Sequence, residues 1–236
     1  MIKSAPAIAW PPLIKGTLVK RYKRFLADVR LPGGQTVTAH TPNTGRMLLC
    51  SEPGRPVYLS RSSNLKRKLA YTWEMIDMED GLVGVNTTLP NRLAAMAAGE
   101  SFFPGWPQKP EVRTEVKAGL SRLDLQLLKD GQVTWVEVKN CTLVQDGVAL
   151  FPDAVSARGA KHLIELREKV KSGDRAILLV MIQRRGAHVF SPAHKIDPRW
   201  AETLKEVLDN GVELEAREVI LDLNCATLGA RIKSAV

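Results

Sequence analysis

The chain has 236 residues, of which 44% are hydrophobic and 25% are charged, and its formal net charge at pH 7 is +9. This composition is that of a globular protein long enough to bury a core, and it excludes a disordered chain, a collagen-like fibre and a low-complexity fibre. The high positive charge favours a polyanionic partner, either nucleic acid or an acidic membrane surface.

The excess positive charge is concentrated in the first third of the chain. Residues 1–73 hold 13 lysines and arginines but only two acids, Asp28 and Glu52, whereas residues 74–236 hold 21 basic residues and 23 acids. An asymmetry of this size predicts two units with different roles.

The three cysteines, Cys50, Cys141 and Cys225, are widely spaced and contain no CxxC pair. We expect free thiols in a reducing cytoplasm, because an odd number cannot form a closed disulfide framework. The N-terminal apolar stretch is short and ends at Pro11-Pro12, which is not typical of a signal peptide, and no later run reaches the ~18 apolar residues of a membrane helix. A membrane partner is not expected, since the basic residues are not interleaved with an apolar helical face.

The first unit, residues 1–81, is predicted to be a small barrel. Strand patterns cover 13–19, 24–31, 35–40, 57–61 and 69–76, and Gly33-Gly34 marks a hairpin turn. Five short strands in fewer than 80 residues favour a barrel of the OB type. A small SH3-like barrel fits nearly as well.

The second unit, residues 82–236, is predicted to be a mixed sheet between helices. Helices are expected at 90–98, 156–171 and 198–208, and strands at 111–117, 122–129, 133–140, 175–183, 187–190 and 212–221. The order α-β-β-β-α-β places the protein in the α/β (α+β) class.

Candidate chemistry lies on a predicted hairpin in this second unit. The turn at Asp130-Gly131 places Asp124 roughly opposite Glu137, and Glu137 and Lys139 share one strand face. Two close carboxylates repel one another, and a divalent cation, Mg²⁺ or Mn²⁺, relieves that repulsion and activates water for attack on a phosphodiester. The alternative is an exposed cross-strand ion pair.

The spacing of these residues resembles the PD-(D/E)xK nuclease motif, whose core also has the order α-β-β-β-α-β. That resemblance implies that Asp124 and Glu137 hold the metal and that Lys139 assists catalysis. Nucleases of this class often add an acid from the first helix, but residues 90–98 contain none. Glu115, on the preceding strand, is the candidate substitute.

Closely spaced cations, some beside aromatic residues, predict contacts with a nucleic-acid backbone and bases. The alternative for the first unit is a solvated basic surface with Tyr71 and Trp73 in the core. In the second unit, the predicted helix at 156–171 begins with cations suited to phosphate, although a solvated basic helix start fits equally well. The candidates are Arg21, Lys23, Arg24, Arg46, Arg61, Lys66, Arg67, Lys68, Tyr71 and Trp73 in the first unit, and Arg122, Arg158, Lys161 and His162 in the second.

Several longer motifs resemble the sugar fermentation stimulation protein family. They are HTPNTGRM (40–47), SRSSNLKRKLAYTWE (60–74), NTTLPNRL (86–93), SRLD (121–124), EVKNCTL (137–143) and FPDAVSARGAKHLIEL (151–166). The resemblance covers about residues 13–222. It implies an OB-like domain, a PD-(D/E)xK-like domain, DNA binding and a regulatory link to maltose and sugar metabolism. It also implies a helix-turn-helix near the C-terminus, whereas residues 198–220 themselves predict a helix followed by a strand.

Three hypotheses therefore stand. The first is a largely sequence-nonspecific DNA-binding protein with a metal-dependent phosphodiesterase site. The second is a DNA-binding regulator whose nuclease-like site is silent, and the third is an RNA-binding or RNA-processing factor, since OB folds accept either nucleic acid. DNA is favoured over RNA. The sequence is compatible with a homo-oligomer and does not define the oligomeric state.

Overall fold

The computed structural model describes residues 4–119 and 121–236, and it contains two sheets. The first three residues of the N-terminal segment considered above as a signal peptide lie outside the described residues. Within the described residues, no helix is long and apolar enough to cross a membrane.

The first sheet is a six-stranded barrel with the strand order β4-β3-β2-β5-β6-β7. Pairing between β4 and β6 closes it, with Ala39 beside Tyr71. Its strands are β2 (Leu13–Tyr22), β3 (Leu26–Arg30), β4 (Thr36–His40), β5 (Pro56–Arg61), β6 (Tyr71–Met78) and β7 (Gly81–Gly84), whereas β1 (Ala7–Ala9) joins the other sheet. The predicted small barrel is confirmed, and β7 is a strand that the sequence analysis did not predict.

The second sheet contains ten strands in the order β11-β12-β14-β16-β15-β13-β10-β9-β8, with β1 paired to β16. Its further strands are β8 (Glu111–Ala118), β9 (Ser121–Lys129), β10 (Gln132–Cys141), β11 (Leu143–Gln145), β12 (Val148–Phe151), β13 (Arg175–Ile182), β14 (Val189–Pro192), β15 (Glu213–Leu221) and β16 (Cys225–Ser234). The predicted mixed sheet is confirmed. β1, β11, β12 and β16 were not predicted.

Three helices cover the two faces of this sheet. They are α1 (Thr88–Gly99), α2 (Ala157–Lys171) and α3 (Pro198–Asp209). The Ser156 hydroxyl accepts a hydrogen bond from the Gly159 N–H at 3.0 Å and so caps α2, while Asp197 caps α3. Because α3 leads into β15, residues 198–220 form a helix and then a strand, as their own pattern predicted, and not a helix-turn-helix.

Alternation along the central strand β10 divides its side chains between the two faces. Val136 and Val138 pack in the core beneath α1, whereas Trp135 packs with Leu163 beneath α2 and α3. Each large apolar side chain buried in this way contributes about 1.5–3 kcal/mol. Glu137 therefore lies on the α2 side of the sheet.

Polar contacts to the buried residues Gln183 and Arg184 join the barrel to the second domain. The Gly84 N–H donates to the Gln183 carbonyl at 2.9 Å, and Arg184 Nε donates to Asp80 Oδ2 at 2.6 Å. Residues of both domains line one cleft.

Candidate functional site

The cleft between the domains is a cavity of about 860 Å³. Asp124, Glu137 and Lys139 line it, together with barrel residues 42–46 and segment 150–158. The register of the β9–β10 hairpin, with Val136 beside Leu125, is the one predicted from the turn at Asp130-Gly131. The hairpin thus brings the three residues of the predicted motif into one cavity.

Glu137 is an ionised carboxylate at the base of this cleft, with its side chain only 2% exposed. Lys139 Nζ donates to its Oε1 oxygen at 2.5 Å, and His162 Nδ1 contacts the same oxygen. Burial alone would raise the pKa of the Glu137 carboxyl, but the opposing effects of Lys139 and His162 outweigh it and hold the pKa below its ordinary value.

The second oxygen of the same carboxylate, Oε2 of Glu137, is buried and has no hydrogen-bond partner. A buried charged oxygen without a partner is costly, because it has lost its hydration. A cation held between this oxygen and Asp124 would satisfy it, so the residues present fit a divalent metal ion. Within the described chain, however, no group of three or more His, Cys, Asp or Glu residues is arranged to hold a metal.

Asp124 is held by two N–H donors. Asn91 Nδ2 donates to Oδ1 and the Val138 backbone N–H donates to Oδ2, both at 2.7 Å. Burial, and secondly the charge of Glu137, nevertheless raise the pKa of Asp124 to about 7. Two neighbouring carboxylates with pKa values displaced in opposite directions are typical of functional sites.

The backbone is strained opposite Asp124. Glu115 lies between the pairs Thr114–Leu125 and Val116–Leu123, and its φ of 53° is in the left-handed region. Residues two apart on a regular strand point to the same face of the sheet. Leu123 and Leu125 instead point to opposite faces, since Leu123 packs beneath α2 and Leu125 beneath α1. Glu115 itself is exposed, and its charge is a minor contribution to the raised pKa of Asp124. It does not line the cleft.

His162 was predicted to bind phosphate, and its position contradicts that role. The residue is only 6% exposed, and its Nδ1 and Nε2 atoms contact Glu137 and Arg158 respectively. Because Arg158 donates to Nε2, the proton of a neutral ring lies on Nδ1 and is directed at Glu137. His162 therefore supports the carboxylate in the wall of the cleft, and the exposed Arg158 also lines the cleft.

Arg21 was also predicted to contact nucleic acid, but its guanidinium is occupied by backbone carbonyls. Its Nη2 donates to the carbonyls of Arg24, Asn43 and Gly45 at 2.8–2.9 Å, and its Nη1 donates to Arg46 at 3.3 Å. Arg21 thereby clamps the β2–β3 turn to loop 42–46. The exposed side chains of Arg24 and Arg46 line the cleft.

The prediction that Trp73 stacks on bases is wrong. Its side chain is fully buried in the barrel core, and its Nε1 donates to the Met75 carbonyl at 2.9 Å. Tyr71 is half-buried against the same core. Seven further predicted contacts do not line the cleft, namely the exposed Lys23, Arg61, Lys66, Lys68, Arg122 and Lys161 and the half-buried Arg67.

Sequence reasoning missed Asn91 and Asp153. Asn91 lies near the start of α1, the helix on which an acidic metal ligand was expected. Its side-chain amide was the sequence feature that could have identified it as a site residue. Asp153 accepts a hydrogen bond from the Met47 N–H at 2.7 Å and so anchors the barrel loop at the cleft. Its place in the motif 151–166 gave no indication of this contact with the barrel.

These features define a two-domain protein in which a closed barrel and a restriction-endonuclease-like sheet share one cleft. Two family models divide the chain in the same way, the "SfsA N-terminal OB domain" over residues 19–85 and the "Sugar fermentation stimulation protein RE domain" over residues 88–224. The chain belongs to the sugar fermentation stimulation protein family. The first match favours the OB type over the SH3-like alternative.

Relatives in this family are similar along most of their length. A sugar fermentation stimulation protein homologue of Citrifermentans bemidjiense is 50% identical over 206 residues, covering 87% of this chain and 89% of the relative. One from Thioalkalivibrio sulfidiphilus is 50% identical over 210 residues, covering 87% and 88%. The solved structure of Pyrococcus furiosus SfsA in complex with Ca²⁺ matches with a TM-score of 0.90 at 25% identity, covering 99% of this chain and all of that one.

Proposed function

We propose that this protein binds DNA and hydrolyses its phosphodiester bonds with a divalent metal ion at Asp124 and Glu137. The observation that carries the proposal is the buried, unpartnered Oε2 oxygen of Glu137 beside the second carboxylate. The Pyrococcus furiosus relative, whose structure was solved in complex with Ca²⁺, supports a divalent cation in this family.

The donor set favours a hard cation. Asp124 and Oε2 of Glu137 would hold Mg²⁺ or Mn²⁺, which when bound stabilises negative charge on a phosphodiester and lowers the pKa of a bound water. Lys139 and His162 keep Glu137 ionised through its other oxygen. Lys139, 11% exposed, also places a positive charge where the attacked phosphate develops negative charge.

Three exposed arginines of the cleft bind the nucleic-acid backbone. Arg24 and Arg46 extend from the barrel, and Arg158 extends from α2, into the same cavity as the carboxylates. Guanidinium groups bind phosphate oxygens through paired N–H donors. Contacts with phosphate do not distinguish one base from another, so we propose binding that is largely independent of the DNA sequence.

The proposal is tested by incubating the protein with plasmid DNA and with single-stranded DNA in Mg²⁺, in Mn²⁺ and in EDTA. Cleavage is expected only with a metal, and it should be lost in Glu137→Gln, in which the amide oxygen can still accept from Lys139 and His162. Glu111→Gln, at an exposed acid on strand β8, is the matched control. Absence of cleavage by the wild type, or equal cleavage by Glu137→Gln, would overturn the enzymatic proposal.

A second candidate is a DNA-binding regulator whose nuclease-like site is silent, with the link to sugar metabolism that the family name suggests. The observation favouring it is that α1 supplies Asn91 in place of an acid, so that Asp124 is contacted from this helix by a neutral amide and not by a further carboxylate. In that case DNA binding persists in Glu137→Gln and no cleavage occurs with either metal. Single-stranded RNA of the same sequence, as a competitor, tests the RNA-binding alternative.

A further inference from the structure

Phe25 is an exposed aromatic side chain next in sequence to a residue that lines the cleft. It is 47% exposed, and among the exposed large hydrophobic side chains of the described residues it is the one aromatic. It lies in the turn between β2 and β3, directly after the cleft-lining Arg24. Lys23 and Arg24 have φ values of 49° and 64°, so this turn is strained and closely defined.

The turn is tied to the neighbouring wall of the cleft. The Phe25 carbonyl accepts from the Thr41 N–H at 2.8 Å, and Arg21 bridges the Arg24 carbonyl to the Asn43 carbonyl. Arg24 and Arg46 therefore line the cleft, and the turn that carries Arg24 also exposes the Phe25 ring.

This arrangement suits an unpaired base next to its phosphates. An aromatic side chain stacks on the face of a base only where that face is free, as in single strands, whereas a duplex presents phosphates and groove edges. The cavity of about 860 Å³ is within the range of about 300–1,000 Å³ found for small-ligand pockets. It suits a short stretch of one strand better than a duplex.

We propose that the turn bearing Lys23, Arg24 and Phe25 is a single-strand-binding element, in which Phe25 stacks on a base while Arg24 and Arg46 hold the adjacent phosphates. The element directs an unpaired strand to Asp124 and Glu137. This inference rests on the proposed function and specifies its substrate as single-stranded nucleic acid or an unpaired end.

Binding is measured in EDTA, so that the result does not depend on cleavage. Fluorescence anisotropy with a labelled single-stranded DNA, the same strand as RNA, and the corresponding DNA duplex gives three dissociation constants. The wild type is expected to bind a single strand more tightly than the duplex, and the DNA and RNA arms show which single strand is preferred. Phe25→Ala should weaken single-strand binding by roughly tenfold, the loss typical for one base-stacking aromatic, and should change duplex binding little.

Three further variants separate stacking from folding and from charge. Phe25→Tyr should retain single-strand affinity, while Phe25→Leu, which keeps an apolar side chain, should lose it. Leu223→Ala removes a similarly exposed apolar side chain, 51% exposed and not next in sequence to any residue that lines the cleft, and should have no effect. Arg24→Gln should weaken binding more than Arg30→Gln, because Arg30 is exposed on β3 but does not line the cleft.

The proposal is overturned if the wild type binds duplex as tightly as single strands, if Phe25→Ala binds single strands normally, or if Phe25→Leu equals the wild type. These outcomes are independent of the cleavage assay. Normal Phe25-dependent binding without cleavage would leave this element standing while the enzymatic proposal fails.

Discussion

The side-chain amide of Asn91 donates a hydrogen bond to the Asp124 carboxylate at 2.7 Å. The first helix of the second domain thus reaches the candidate metal site with a neutral group, although nucleases with this motif often supply an acid there. Because Asn91 donates through its Nδ2, it orients Asp124 without adding a third negative charge to the buried pair.

We therefore expect Asn91 to control metal affinity. Asn91→Ala removes a donor that favours the ionised form of Asp124, and loss of such an orienting contact typically weakens metal binding about 10- to 100-fold. Titration calorimetry with Mn²⁺ measures the effect. Asn91→Asp should act in the opposite direction, with tighter Mn²⁺ binding but lower stability in EDTA. Unchanged Mn²⁺ affinity in Asn91→Ala would contradict this role.

The raised pKa of Asp124 makes the stability of the metal-free protein depend on pH. A carboxyl group whose pKa is about 7 when folded, against 3.8 ordinarily, binds its proton more tightly in the native state. Its contribution therefore favours folding at low pH and is lost as the pH rises through the folded-state pKa. Between about pH 5 and pH 7 this group should lower the free energy of unfolding by about 1.4 kcal/mol per pH unit, and its effect should level off above that.

Comparison with Asp124→Asn isolates this contribution. The amide cannot ionise, and it can keep both hydrogen bonds if the Asn91 amide reverses. The pKa of His40 is lowered by burial and by Arg67, so His40 makes stability rise with pH in both proteins. The difference in free energy of unfolding between the two proteins removes this shared contribution. Urea denaturation in EDTA across this pH range should show a flatter profile for the variant. Parallel profiles would show that Asp124 titrates normally.

Part of this site was predictable from local pattern. The Asp130-Gly131 turn defines the hairpin register, and strand alternation places Glu137 and Lys139 on one face, so their relation to Asp124 followed from the sequence. The role of Asn91 did not, because it depends on how α1 packs against a strand more than 30 residues away.

The nucleic-acid contacts were less predictable because burial was unknown. Trp73 and Phe25 are both aromatic residues close to basic residues, but β6 places Trp73 inside the barrel while a turn exposes Phe25. That turn has left-handed backbone at Lys23 and Arg24, two residue types that rarely adopt it. Because glycine is the usual sequence signal for such a backbone and none is present here, the sequence did not predict the turn. The clamp formed by Arg21 likewise requires the folded positions of loop 42–46.

Gly45 is expected to be needed for the position of the barrel loop at the cleft. A Cβ atom at this residue would lie 2.5 Å from Asp153 Oδ1. The other oxygen of the same carboxylate, Oδ2, accepts the hydrogen bond from the Met47 N–H. Gly45→Ala should therefore cost about 1–3 kcal/mol of stability through overpacking and displace the loop. Thermal unfolding measures the loss.

The matched control is Gly33→Ala, where a Cβ atom meets nothing within 4 Å. This change should be neutral or stabilise the protein by about 0.4–1 kcal/mol, because it restricts the unfolded chain. Equal melting temperatures for Gly33→Ala and Gly45→Ala would show that the loop adjusts without losing its contact to Asp153.

Arg21 should act through geometry and not through its charge. Arg21→Lys keeps the positive charge, but an ammonium group cannot span the carbonyls of Arg24, Asn43 and Gly45 that the planar guanidinium joins at 2.8–2.9 Å. We expect a lower melting temperature and weaker single-strand binding, since Arg24 is then no longer held beside the cleft. Arg61→Lys, at an exposed arginine outside the cleft, should leave both quantities unchanged. If Arg21→Lys instead behaves like Arg61→Lys, the guanidinium does not organise the cleft.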